Sequence, residues 1–119
     1  MEKKQIDPQQ LARIREIYSK MPKGNDLFAF KLNWQMLIDY RVIDSVCKPW
    51  IAKKMVDYLG AEEQTIIDLV LRLLKAQSSD SVMREKMEAI LDDESADFVE
   101  KLWRLMVFEQ MKIEAGLYE

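Results

Sequence analysis

"CKPWIAKKMVDYLG", residues 47–60, sets a proline against a tryptophan, follows with two lysines and closes on a glycine. Its residues Ile51, Met55, Tyr58 and Leu59 recur at i, i+4, i+7 and i+8, one apolar stripe along a helix. Proline suits the first helical turn, where its missing N–H has no partner to lose, so a helix is expected to begin at Pro49. Pro49 also disfavours helical geometry at Lys48, which predicts that the preceding segment ends there. Gly60 fits the left-handed conformation that stops a helix. The stretch is a helix from its proline to its glycine.

Working outward, "DPQQLARIREIYSKM" opens with Asp7 as cap and Pro8 in the first turn, and Leu11, Ile14, Tyr18 and Met21 form its apolar side. "PKGNDLFAFKL" reads as an irregular connector whose Leu27, Phe28 and Phe30 pack down on the core. Asn33 caps "WQMLIDYRVIDSV". Downstream, "EEQTIIDLVLRLLKAQ" is apolar on most sides, which predicts a central position. "SSDSVMREKMEAIL" gives a short helix capped by Ser79 or Asp80, with Met83, Met87, Ile90 and Leu91 inward. "DDESADFVEKLWRLMVFEQMKIEAG" runs from an acidic start to Gly116, with Asp97, Glu100, Lys101 and Arg104 on its wet face. Six helical segments joined by short connections imply an antiparallel bundle.

Composition agrees. The 119 residues include 49% hydrophobic and 33% charged side chains, with only three glycines and three prolines. That suits one folded helical domain. No apolar run approaches the ~20 residues that cross a bilayer, and "MEKKQIDPQQ" lacks the apolar segment of a signal peptide. Cys47 is the only cysteine, so no internal disulfide is expected and a reducing compartment suffices. Histidine is absent, which removes the commonest general base and metal ligand.

Catalysis is therefore hard to build. Cys47 has no histidine to activate it, and Asp92, Asp93 and Glu94 do not match a calcium loop and read as helix-start acids. No glycine-rich phosphate loop occurs, and neither a metal nor a cofactor is expected. Trp34, Trp50 and Trp103 lie at helical spacing on apolar faces and read as core.

Charge is unevenly distributed. Residues 1–54 carry a net charge of +5 and residues 55–119 a net of −8, within an overall −3. Lys53 and Lys54 lie off the stripe of their helix and Lys48 flanks its start, with Lys20, Lys23, Lys31 and Arg41 in preceding segments and Lys3 and Lys4 in the tail. Solvated lysines are ordinary; a cluster of them also supplies phosphate contacts without base selectivity. The acidic half, with Asp92, Asp93, Glu94, Asp97 and Glu100, offers the rival reading of a surface that docks a basic Arg/Ser-rich partner.

"KPWIAKKMVDYLG", "IIDLVLRLL" and "FVEKLWRLMVFEQ" together resemble the PWI domain, a helical module of pre-mRNA splicing factors. The triplet Pro49-Trp50-Ile51 names that family, and Leu102 and Trp103 match its closing motif. The lead-in "LFAFKLNWQMLIDYRVIDSVCKPWI" is most similar to the C-terminal PWI domain of RNA-binding motif proteins that also carry an RNA recognition motif and an Arg/Glu/Asp-rich region. The resemblance implies an all-α, PWI-type four-helix bundle at residues 47–117, with an N-terminal helical extension at 1–46. It implies a nuclear monomer that is no enzyme, binds RNA and DNA with little sequence preference, acts in splicing and meets spliceosomal or SR-type proteins. Pro49, Trp50, Ile51 and Trp103 are then structural. Lys48, Lys53 and Lys54 are expected at phosphates, with Lys20, Lys23 and Arg41 as neighbours.

Overall fold

The computed structural model describes residues 7–118, and the regular elements among them are all helical. They are α1 (Pro8–Ser19), α2 (Asn25–Ala29), α3 (Trp34–Asp39), α4 (Lys48–Leu59), α5 (Gln64–Lys75), α6 (Asp80–Leu91) and α7 (Ser95–Glu114). A π-helical turn, Ile43–Cys47, leads into α4, and a 3-10 turn, Asp92–Glu94, leads into α7.

Local chemistry sets most starts and stops. Asp7 Oδ1 accepts from the Gln9 N–H at 2.9 Å, Asn33 Oδ1 from Met36 at 3.0 Å, and Ser79 Oγ from Val82 at 3.2 Å, each satisfying an orphan amide of a first turn. Gly60 closes α4 at φ 81°, its N–H donating to the Val56 carbonyl. The connector after α1 is not irregular throughout, because Asn25–Ala29 winds one further turn that seats Leu27 in the core.

Two expectations fail at the approach to α4. The helix capped by Asn33 stops at Asp39, where Arg41 takes a left-handed φ of 58° and closes it as a glycine would. The chain then stays helical through Lys48, at φ −57° and ψ −53°, instead of extending before Pro49. The π turn explains why. Its wider loop carries the Lys48 N–H to the Ile43 carbonyl, five residues back, and opens the space where the Pro49 ring would strike a regular helical carbonyl.

The central helix is α7 rather than α5. Phe98, Val99, Leu102, Trp103, Met106, Val107 and Ile113 are buried along it, and it packs on α6 and on α1, α2 and α3. On α5, Ile67, Val70, Leu71 and Leu74 are buried against α4 and the π turn, while Ile66, Leu69 and Leu73 are only partly covered. The segment before residue 47 joins the same core through Leu27, Leu37, Val42 and Ile43. Two stripe residues turn outward: Tyr18 is exposed, its place inside taken by Ile17, and Leu59 lies at the surface.

Cys47 is fully enclosed, and burial, with Glu109 nearby adding to it, pushes its thiol up to about 12. The thiolate is the reactive form. At pH 8 the folded protein is therefore expected to resist iodoacetamide, with one alkylation appearing only on addition of denaturant; native labelling within minutes would show that the site opens.

Candidate nucleic-acid interface

A helix turns about 100° per residue, so neighbours such as Lys53 and Lys54 leave it in different directions. Lys53 and Lys48 line a groove between α4 and α5, floored by Pro49, Ala52, Val56 and Ile67, with Asp57 and Glu62 on the same walls. Lys54 lines a groove on the opposite flank of α4, with Tyr18 and Met21 from the end of α1 and Lys101, Arg104, Leu105 and Phe108 from α7. The expected pair thus straddles α4.

The outlying cations do not join them. Lys20 binds Glu16 on its own helix at 2.8 Å and lines a hollow between α1 and the end of α7 with Arg13 and Met111. Arg13 reaches across that hollow, its guanidinium donating to the Ala115 carbonyl. Lys31 lies beside Trp34 and Gln110, and Lys23 and Arg41 are exposed. Lys3 and Lys4 lie outside the described residues.

Six cations outside α4 are ion-paired among the described residues, and the α4 lysines are not. Among the described residues, salt bridges engage Lys20, Lys75, Arg84, Lys101, Arg104 and Lys112. Lys48, Lys53 and Lys54 take part in none of them. Lys54 Nζ stands 5.6 Å from the centre of the Trp50 ring one turn earlier, a cation–π contact. The acids behind it are engaged elsewhere. Asp97 binds Lys101 at 3.0 Å and accepts from the Tyr58 hydroxyl at 2.8 Å, and Glu100 meets Arg104 at 3.8 Å. The hydrogen bonds from Lys101 and then Tyr58 hold Asp97 below the usual carboxylate range. Asp92, Asp93 and Glu94 remain exposed in the turn before α7, where Ser95 Oγ donates to the Asp92 carbonyl.

The motif residues divide between core and groove. Ile51 is fully buried, Trp103 nearly so, and Trp34 meets Trp103 edge-on at 6.3 Å. Pro49 is exposed at the floor of the α4–α5 groove. Trp50 is half-buried: one face stacks on Phe98 at 5.7 Å and 25°, and the ring also borders the Lys54 groove. Sequence reasoning missed Tyr18, Lys101, Arg104 and Phe108 as members of that groove. The two α7 cations were visible as a wet face, but their meeting with Lys54 depends on how α7 crosses α4.

Comparison with known proteins adds a family and relatives. The family described as "PWI domain" matches residues 45–114. RNA-binding motif protein 25 of Arabidopsis thaliana is 36% identical over 104 residues, covering 87% of this chain and 12% of that protein. RNA-binding protein 25 of Homo sapiens is 33% identical over 105 residues, again 87% of this chain and 12% of its own length. Serine/arginine repetitive matrix protein 1 of Gallus gallus is 32% identical over 74 residues, 60% of this chain and 8% of that protein. The chain thus spans a small part of each relative. The two longer matches are too long to fit after residue 45 and so take in lead-in helices as well.

Proposed function

This chain belongs to the PWI domain family, and from that premise we propose that it is a nucleic-acid-binding module of a pre-mRNA splicing factor, working in the nucleus without catalysis of its own. Its ligand is RNA, with DNA bound by the same means, and SR-type or spliceosomal proteins are its partners. The names of the relatives support RNA as the ligand. The single observation that carries the reading is α4: three lysines on one helix, all of them outside every salt bridge found among the described residues. Ammonium groups on flexible stems meet phosphates at many angles, which favours backbone contact over base readout. A strand crossing α4 meets Lys48 and Lys53 on one flank and Lys54 on the other.

Three phosphate contacts on a single strand give a slope of log affinity against log salt of about −2. Anisotropy titrations of a fluorescein-labelled RNA decamer at several salt concentrations measure it. Lys53→Glu/Lys54→Glu is expected to weaken binding and reduce the slope to less than half. Unchanged affinity and slope would take both residues out of the contact. Docking of a basic protein segment on the exposed Asp92, Asp93 and Glu94 makes the opposite forecast: capture of an Arg/Ser-repeat peptide that survives nuclease and ignores the lysine changes.

A further inference from the structure

The groove between α1, α4 and α7 combines features that the phosphate reading leaves unused. Its walls are rings: Tyr18 and Phe108 meet edge-on at 6.2 Å and 78°, and Trp50 borders the same space. Tyr18 is 61% exposed, although its position belongs to the apolar side of α1. An edge-on pairing of two rings, unlike a stacked sandwich between neighbours, leaves at least one face of the phenol clear of Phe108. Around the rings stand Lys54, Lys101 and Arg104. Lys101 is bound to Asp97 at 3.0 Å, but Arg104 meets Glu100 only at 3.8 Å, and Lys54 stands over the Trp50 ring. Lys54 thus lies outside the salt bridges among the described residues. Arg104, whose bridge to the exposed Glu100 is the longer of the two at this groove, is the cation best able to trade its partner for a phosphate at the edge of the cleft.

We infer that this groove is a stacking cleft for one unpaired base of single-stranded nucleic acid, the base lying against Tyr18 and its phosphate reached by Lys54 and Arg104. The inference rests on the nucleic-acid reading above and deepens it from charge to base. Every base has a π face, so such a cleft selects for an unstacked base without selecting its identity. A base inside a duplex must leave its neighbours before it can enter, which disfavours double strands. Charge complementarity fixes the ligand as anionic, and the rings fix it as planar.

The test compares ligands with one charge and different surfaces. A labelled thymidylate decamer and a decamer of abasic deoxyribose phosphates are titrated into the full chain at one salt concentration. The thymidylate is expected to bind on the order of tenfold tighter or more. Tyr18→Ala, at a position 61% exposed, is expected to bring the two ligands close to equality, and Tyr18→Phe to preserve their difference. Equal binding of both ligands by the parent protein would overturn the stacking cleft while leaving the phosphate reading intact. A Tyr18→Ala loss that is the same for both ligands would overturn it as well. Failure of both ligands to bind would bring down the cleft and the phosphate reading together.

Discussion

Phe98→Ala is expected to lower the thermal midpoint by about 15 °C, a loss of ~3–5 kcal/mol for a deleted buried aromatic in a domain of this size. Phe98 has no exposed surface and lies near the start of α7 beneath α4. The Trp50 indole stacks on it at 5.7 Å, and the Tyr58 ring meets it edge-on at 6.2 Å. Removing it empties a site between α4 and α7, and both α4 rings lose the surface that orients them. The aromatic geometry adds roughly 0.5–1.5 kcal/mol per pair beyond area. Circular dichroism melting measures the shift, and Phe98→Leu, which keeps most of the volume, should recover a large part of it. A shift under a few degrees for the alanine variant would mean that α4 and α7 are held together elsewhere.

Lys112→Met is expected to cost about 3 kcal/mol, although it leaves the length of the side chain almost unchanged. Its partner Glu109 is only 5% exposed, so its charge depends on what the protein supplies. Lys112 Nζ lies 2.9 Å from Glu109 Oε2, and the Tyr118 hydroxyl donates to Oε1. The Lys112 ammonium also stands over the Phe108 and Tyr118 rings, at 5.1 and 5.5 Å. Methionine keeps the packing of the stem and strands a carboxylate near the buried Cys47. The Lys112→Met/Glu109→Leu double variant should regain most of the loss, since a buried pair replaced whole costs far less than a pair broken. Urea unfolding of the four proteins of that cycle reads the coupling directly. Additive losses would show that the carboxylate hydrates by local opening.

What could be read in the chain was what local chemistry decides. Asp7, Asn33 and Ser79 act within three residues of themselves, and Gly60 needs only its own φ, so these helix limits were legible. The π turn was not. Its fifth-neighbour hydrogen bond leaves no periodicity to detect, and a proline ordinarily argues for a break at that point. Nor could apolar content show that α7 rather than α5 takes the middle, because that depends on which helices the lead-in covers. Helical spacing placed Tyr18 inward, and the structure buries its neighbour Ile17 instead, because the packing of α1 on α7 decides which of the two faces the core. The lysines on α4 were visible as residues, but which groove each enters is a property of the neighbours.

The continuous winding of the Ile43–Cys47 turn into α4 bears on how an anion can be held. Helices that begin freely display a ring of amides, a rigid cradle into which one phosphate fits in one pose. Here the Lys48 amide is already occupied by Ile43 and Pro49 has none to offer, so that cradle is closed before any ligand arrives. Whatever anion settles on α4 is held by swinging side chains, and a hold of that kind tolerates a sliding, irregular backbone.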